Sequence, residues 1–169
     1  NNIAQIIEYS SGGWQGKESP SSLLGAIAFI RQGFIDASWY EKSHKILEKY
    51  PDRNEPIQMD RSLTSLASAK KNHQPFNFRT TNARYIERSN NISKEFDVNL
   101  WIKGNGYEYR RINEMPGSFI IVPVNFPGKP EVADPFNALQ YSLEQLKHWD
   151  MAPDNASKLA EAGFEFALT

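Results

Sequence analysis

The clearest structural signal in this sequence is the stretch Ser118-Phe119-Ile120-Ile121-Val122-Pro123-Val124, which is almost wholly apolar. A strand with one solvated face alternates between apolar and polar residues, whereas a strand covered on both faces reads as a continuous apolar run. Sheets covered on both faces are mostly parallel sheets of α/β proteins. The stretch therefore predicts a buried strand of a parallel sheet.

Strand-like and helical segments alternate on either side of this stretch. Three more strands are predicted, at residues 75–80, 98–103 and 164–168. Apolar residues at helical spacing predict helices at residues 62–71, 82–95, 107–114, 137–149 and 154–162. In the helix at 137–149 we expect Leu139, Leu143 and Leu146 to point inward. This alternation predicts right-handed βαβ units. A closed (β/α)8 barrel needs about 250 residues. The predicted fold class is therefore α/β, with a parallel sheet resembling the second half of a TIM barrel.

The first sixty residues are expected to contain one long helix, with Ser19 as its N-cap and Pro20 as its first residue. Apolar residues at spacings of three and four form a stripe over residues 23–37. Three more apolar residues widen the stripe: Leu24, Phe29 and Ile35. A helix this apolar is buried on more than one side, or is covered by another structure. We predict one partial domain over residues 1–169, with a loop, this helix and a linker in 1–60 and repeating α/β units in 61–169.

Composition excludes several classes of function. The chain has 19 basic and 20 acidic residues and a formal net charge of −1, which argues against a general electrostatic grip on nucleic acid or anionic membrane. It has no Cys, so disulfides, thiolate zinc sites and thiol nucleophiles are excluded. No stretch reaches the roughly 20 apolar residues that span a bilayer, so no membrane span is expected. Nothing in the composition chooses between a cytoplasmic and an exported protein.

The residue types that usually carry catalysis do not form a recognised motif here. His44, His73 and His148 fall on predicted helices or their ends, so we expect surface or capping roles for them. No His is placed to activate a Ser or Thr hydroxyl as a nucleophile. Glu108 and Glu114 lie on one predicted helix and are expected on a solvated face, not as a general acid/base pair.

Arg79, Lys103 and Asn125 are the candidate site residues. Each lies at or just after the carboxyl end of a predicted strand, which is where barrel enzymes place their chemistry. Two cations and an amide in that position can bind a carboxylate or a phosphate. The alternative is that the two cations pair with nearby acidic side chains and have no ligand.

Four stretches, taken together and in order, resemble one known family. They are residues 22–32 (SLLGAIAFIRQ), 75–80 with the helix that follows, 98–112, and 151–169. In this combination they resemble bacterial amidohydrolases of the imidazolonepropionase-like kind, within the metal-dependent hydrolase superfamily. The resemblance implies a (β/α)8 barrel that hydrolyses C–N bonds in amides and cyclic amides. It also implies zinc or a similar ion that activates water at the strand ends.

The resemblance also implies where metal ligands would lie. In the family they are a His-x-His pair on strand one, one His on each of strands five and six, and an Asp on strand eight. The resemblance makes residues 75–80 strand five and residues 98–103 strand six. Arg79 then occupies the strand-five His position, and the strand-six position falls near Lys103 or Gly104. Arginine does not lose its proton to bind a metal. We therefore expect no metal ligand in this chain, although the resemblance allows a divalent metal such as zinc in a longer parent protein.

These observations lead to two hypotheses about function. In the first, the chain is an internal fragment of an amidohydrolase-related protein whose full-length parent hydrolyses C–N bonds, while the fragment itself is inactive. In the second, it is a degenerate, non-catalytic barrel that serves as a scaffold or interaction domain. The expected partners are the remainder of the barrel, a tandem domain, or a second copy that covers exposed apolar surface.

Overall fold

The computed structural model describes residues 4–9, 20–53, 55–80, 83–106, 108–115 and 118–169. Its strands are β1 Gln5–Glu8, β2 Phe76–Arg79, β3 Leu100–Lys103, β4 Phe119–Val122 and β5 Phe166–Leu168. They form one parallel sheet in the order β1-β2-β3-β4-β5. The α-helices among these residues are α1 Leu23–Lys49, α2 Arg61–Lys71, α3 Ala83–Phe96, α4 Pro135–Ala138, α5 Leu143–Met151 and α6 Asn155–Glu161. Strands and helices alternate from α2 onward, which confirms the predicted α/β class with a partial-barrel arrangement.

The sequence predicts four of these strands, and the structure adds β1 as a fifth. Its Gln5 N–H donates to the Pro75 carbonyl over 2.9 Å. Only two adjacent apolar residues, Ile6 and Ile7, mark β1 in the sequence. A run that short carries no readable periodicity, which is why the strand is visible only through its pairing.

The start of α1 differs from the prediction. The Ser22 hydroxyl accepts a hydrogen bond from the Gly25 N–H over 3.1 Å, so Ser22 is the N-cap and the helix begins at Leu23. Pro20 lies before the helix, while Ser19, the predicted cap, is outside the described residues. The correction moves the start by three residues, because Ser22 supplies a hydroxyl in the position where the first turn needs an acceptor.

The single helix predicted over residues 137–149 is wrong. The chain instead forms the short α4 and then begins α5 with a capping box. The Ser142 hydroxyl accepts from the Gln145 N–H at 3.2 Å, and the Gln145 side chain accepts from the Ser142 N–H at 2.8 Å. Because this restart breaks the helical phase, Leu139 and Leu143, which we expected to point inward, are 84% and 67% exposed.

The chain divides into two compact units. The first unit comprises Asn1–Phe76 and Lys94–Asn99. Phe34 of α1 is the centre of its core: its ring stacks on Phe96 with centroids 5.0 Å apart and meets Phe76 edge-on at 5.3 Å. Pairs of this kind contribute roughly 0.5–1.5 kcal/mol beyond their buried area. They fix α1 through its inward face.

The second unit comprises Asn77–Ser93 and Leu100–Thr169. One face of its strands is buried and carries Phe78, Ile102, Ile120 and Val122. The opposite face, called here the half-exposed face, carries Asn77, Arg79, Trp101, Lys103, Phe119 and Ile121. On it Trp101 pairs with Phe119 in register, with ring centroids 4.9 Å apart. The expectation that β4 is covered on both faces therefore holds for one face only.

No helix in the described part of the chain combines the length and apolarity needed to cross a membrane.

Candidate functional site

The ends of β2 and β3 bring two of the candidate residues side by side. The Thr80 N–H and the Thr80 hydroxyl both donate to the Lys103 carbonyl, at 2.9 and 3.1 Å. In parallel pairing this bond places Arg79 beside Lys103. Both belong to the half-exposed face, with Arg79 exposed and Lys103 partly exposed. Two cations thus lie next to each other at the carboxyl ends of adjacent strands.

Asn125, the third candidate, lies beyond β4. The Val124 N–H donates to the Thr169 carbonyl at 2.9 Å, and the Thr169 N–H donates to the Val122 carbonyl at 3.0 Å. Strand pairing with the end of the chain therefore continues through Val124, and Asn125 is the first residue after it. Its side chain is exposed. That Asn125 binds an anion together with Arg79 and Lys103 stays a prediction.

Glu108 corrects the prediction of a solvated helix face. It is fully buried, at 0% exposure. Its carboxylate accepts hydrogen bonds from the Asn105 N–H at 2.6 Å, the Gly106 N–H at 3.1 Å and the Asn155 side-chain amide at 2.6 Å. The 3-10 segment Glu108–Glu114 turns this side chain back under the loop after β3. Glu114 is only partly exposed, and its Oε1 lies 2.5 Å from the Arg111 guanidinium.

Gly104 completes this arrangement, because a side chain has no room there. A Cβ at Gly104 would overlap Oε1 of Glu108. On the other side, the Asn155 side-chain oxygen accepts from the Tyr109 N–H at 2.9 Å. We call Gly104, Asn105, Gly106, Glu108 and Asn155 the Glu108 network. It fixes the path of the chain immediately after Lys103.

His148 lies against the same loop. A Cβ at Gly106 would come within 3.1 Å of the His148 ring, and Gly106 itself has a positive φ of 94°. Partial burial lowers the pKa of His148, and the charge of Arg110 lowers it further, while Glu144 opposes the shift. Arg110 and Glu144 are themselves joined by a 3.1 Å hydrogen bond. The ring is therefore held toward its neutral form.

The other two histidines lie in the first unit. His73 is exposed, on the turn after α2, with a φ of 50°. His44 lines an open cavity of about 560 Å³ between α1 and α2, with its ring 4.3 Å from that of Tyr40. The His44 Nε2 atom is buried and has no hydrogen-bond partner in the described part of the chain. The expected surface role fits His73, whereas His44 and His148 are partly buried.

The residues present do not fit a metal centre of the amidohydrolase type. Across the described ranges, no three His, Asp or Glu side chains lie close enough together to hold an ion. At the position that the family resemblance gives to the strand-five ligand, the chain carries the Arg79 cation. The resemblance sets the strand-six ligand near Lys103 or Gly104, and the space for a side chain on Gly104 is already filled by the Glu108 carboxylate. A His at position 104 would have to displace a buried, hydrogen-bonded carboxylate, so no metal-dependent step is assigned to these residues.

Comparison with known proteins adds one structural relative. An amidohydrolase from Thermotoga maritima MSB8 matches 90% of this chain with a TM-score of 0.65 and 21% sequence identity. The chain has an amidohydrolase-like fold. It spans 36% of the length of that protein. No protein-family model matches the sequence, and no curated protein matches it significantly. Identity at this level supports the shared fold alone, and it leaves the activity to be argued from the site.

Sequence reasoning missed Glu108 and Asn155 as a buried pair. The available signal was the turn Gly104-Asn105-Gly106, which ends two residues before Glu108. Consecutive backbone N–H groups in a tight turn form a concave site that favours an anion. An acidic side chain two residues after such a turn is well placed to fill the site itself, and Glu108 does so.

Proposed function

We propose that this chain is a barrel segment of an amidohydrolase-related protein of the imidazolonepropionase-like kind. We propose further that the full-length protein hydrolyses C–N bonds of non-peptide amides or cyclic amides, and that Arg79 and Lys103 bind an anionic group of its substrate. The observation that carries this proposal is the side-by-side position of the two cations at the carboxyl ends of β2 and β3. In barrel enzymes this edge is where substrates bind.

The chemistry follows from the two side chains. A guanidinium presents a planar pair of N–H donors to a carboxylate, while an ammonium supplies a compact charge. Hydrogen bonds to charged groups contribute about 1.5–3 kcal/mol each. A carboxylate held between Arg79 and Lys103 would fix the orientation of the rest of the substrate. The proposed role of this chain is therefore binding and orientation, and activation of water is not assigned to it.

The second candidate function is a non-catalytic scaffold. The Glu108 network favours it, because a buried carboxylate occupies the place where a strand-six ligand would stand. In this case the barrel segment holds a partner domain, and Arg79 and Lys103 pair with acidic groups of the protein.

Metal content and turnover distinguish the two functions. We expect the 169-residue chain alone to show no metal-dependent amidase turnover. Elemental analysis of the full-length protein should find a bound divalent ion if the first proposal is right, and none if the protein is a scaffold. Zinc-dependent hydrolysis of an amide by the 169 residues alone would contradict both.

Anion binding is tested by calorimetric titration with glutarate and, separately, with inorganic phosphate. Replacing Arg79 or Lys103 by Gln should weaken glutarate binding about tenfold or more, since each loses a charge-assisted hydrogen bond. Asn125→Ala should have a smaller effect. Lys94→Gln is the matched control, because Lys94 is an exposed cation near the end of α3, which precedes the amino end of β3. If the unmodified chain and the Arg79→Gln variant bind glutarate with equal affinity, the scaffold function is favoured.

A further inference from the structure

The two cations of the proposed anion site begin a row of side chains that crosses the second unit at one level. Lys103 pairs in register with Ile121, and Ile121 pairs with Ala167. Arg79 lies beside Lys103, because both hydrogen bonds of Thr80 end on the Lys103 carbonyl. Side chains that are paired in register point to the same face of a sheet, so all four belong to the half-exposed face. We call Arg79, Lys103, Ile121 and Ala167 the end row.

The end row changes from charged to apolar between β3 and β4. Ile121 is partly exposed and Ala167 is exposed, so both remain open to a ligand. Pro123 follows Ile121 on the same face, since strand pairing continues as far as Thr169, and it is also partly exposed. The side chains of Ile121, Pro123 and Ala167 carry no charge and no hydrogen-bond donor. A ligand group that lies on them is therefore favoured when it is apolar.

The acidic residue Glu165 disfavours a second anion at this end of the row. Its carbonyl accepts from the Ile120 N–H at 3.1 Å, which places Glu165 beside Phe119 and on the same face as Ala167. Its side chain is exposed. Two residues along a strand span about 6.6 Å, which is less than the Debye length of about 8 Å at physiological salt. A ligand carboxylate over Ala167 would therefore be repelled by Glu165, with no cation of the end row next to it.

We propose that the end row selects a substrate with one anionic group joined to an apolar chain, and that Ile121 determines this preference. The proposal rests on the proposed function, because the anionic group is taken to bind at Arg79 and Lys103. Neighbouring strands lie about 4.8 Å apart, so the midpoint between the two cations is about 7 Å from Ile121. The extended chain of hexanoate spans a similar distance. The substrate class that follows is an amide carrying one carboxylate and a hydrocarbon substituent.

Hexanoate and adipate are the probes, since both have six carbons and adipate ends in a second carboxylate. Each is titrated calorimetrically into the 169-residue chain, with acetate as the reference for the anionic group alone. Hexanoate should bind about tenfold more tightly than acetate, because two or three of its methylenes are removed from water on Ile121. It should also bind more tightly than adipate, whose second carboxylate would lie on apolar side chains.

Ile121→Lys should reverse the preference between the two probes. The new ammonium meets the second carboxylate, so adipate should bind about tenfold or more tightly than it does to the unmodified chain, while hexanoate binds less tightly. Far-UV circular dichroism checks that the variant is folded. Ile121→Ala is a second variant that adds no charge. It should weaken hexanoate binding about fivefold and leave acetate binding unchanged.

Leu168→Lys is the matched control. Leu168 is 59% exposed and follows Ala167 directly, but it pairs with Val122 on the opposite face of the sheet. The same charge added there should leave the ratio of the hexanoate and adipate affinities unchanged.

Two results would overturn the selection by the end row while leaving the anion site in place. One is equal affinity for hexanoate and acetate in the unmodified chain, with both weakened by Arg79→Gln. The other is a folded Ile121→Lys variant that still prefers hexanoate. If none of the three probes binds the unmodified chain, or if Arg79→Gln changes the affinity of none, the anion site itself is wrong and the selection is overturned with it.

Discussion

The ends of β2 and β3 occupy the same place in the fold and are built in opposite ways. Each strand ends in a cation of the half-exposed face, and the two cations are adjacent. After Lys103 the chain closes at once over the buried Glu108. At the end of β2, by contrast, Arg79 is exposed. Neighbouring positions of one sheet edge thus use polar groups for two purposes, internal structure at one and, in our proposal, contact with a ligand at the other.

Burial explains why mutations at the two strand ends should differ. A buried donor that loses its acceptor costs about 1–3 kcal/mol, because water cannot replace the lost bond. Removing an exposed charge changes the free energy of unfolding only a little, since solvent already screens that charge. Substitutions in the Glu108 network should therefore change the free energy of unfolding, and substitutions at Arg79 should change ligand affinity.

Glu108→Ala is expected to have the largest effect. It removes the acceptor of three hydrogen bonds, from the Asn105 and Gly106 N–H groups and the Asn155 side chain. We expect the free energy of unfolding, measured by chemical denaturation, to fall by about 4 kcal/mol.

Glu114→Ala is the control for this measurement. Glu114 belongs to the same 3-10 segment, but its side chain is 33% exposed and pairs with Arg111 near the surface. Its replacement should cost less than about 1 kcal/mol. If the two variants lost similar amounts of unfolding free energy, burial would not explain the effect of Glu108→Ala. The contrast between the two strand ends would then be wrong.

Gly104→Ala tests the contrast by adding one methyl group. The new Cβ would overlap Oε1 of Glu108, so the carboxylate must shift and its hydrogen bonds must lengthen. We expect a loss of about 2–3 kcal/mol in the free energy of unfolding. Gly128→Ala is the matched control, because nothing lies within 4 Å of a Cβ at that position. A Gly104→Ala variant as stable as the parent chain would show that the loop has room and that the Glu108 carboxylate is not confined.

The strand frame is readable from the sequence because its signals are local. β4 is marked by consecutive apolar residues, β3 by a short apolar run, and β2 by alternating apolar and polar residues. The side-by-side position of Arg79 and Lys103 follows from that frame, since parallel strands end at one edge of a sheet. The features that follow from the positions of the strands alone were therefore predictable from the sequence.

The features that were missed depend on partners that are distant in sequence or on a local choice between close alternatives. Glu108 bonds to Asn155, 47 residues later, and no periodicity reports such a contact. The break between α4 and α5 depends on Ser142 capping a new helix where apolar spacing alone favours continuation. The two-sided apolarity of α1 was readable, but only the exposure of Ile35 and Trp39 shows which face is open.

The smallest expected effect concerns His148, whose titration makes the free energy of unfolding depend on pH. Burial and Arg110 lower the pKa of His148, so the folded chain binds its proton less readily than the unfolded chain does. Between that lowered pKa and the ordinary value of about 6.5, the unfolded state holds more protons, and stability rises with pH. The chain should therefore lose stability as the pH falls below about 6.5, by a small amount because the ring is only partly buried.

His148→Gln should remove part of that loss, measured as the difference in unfolding free energy between about pH 7.5 and about pH 5. Since the ring lies on Gly106, protonation should also loosen the loop after β3. An equal loss of stability in the variant would mean that other groups set the acid limit.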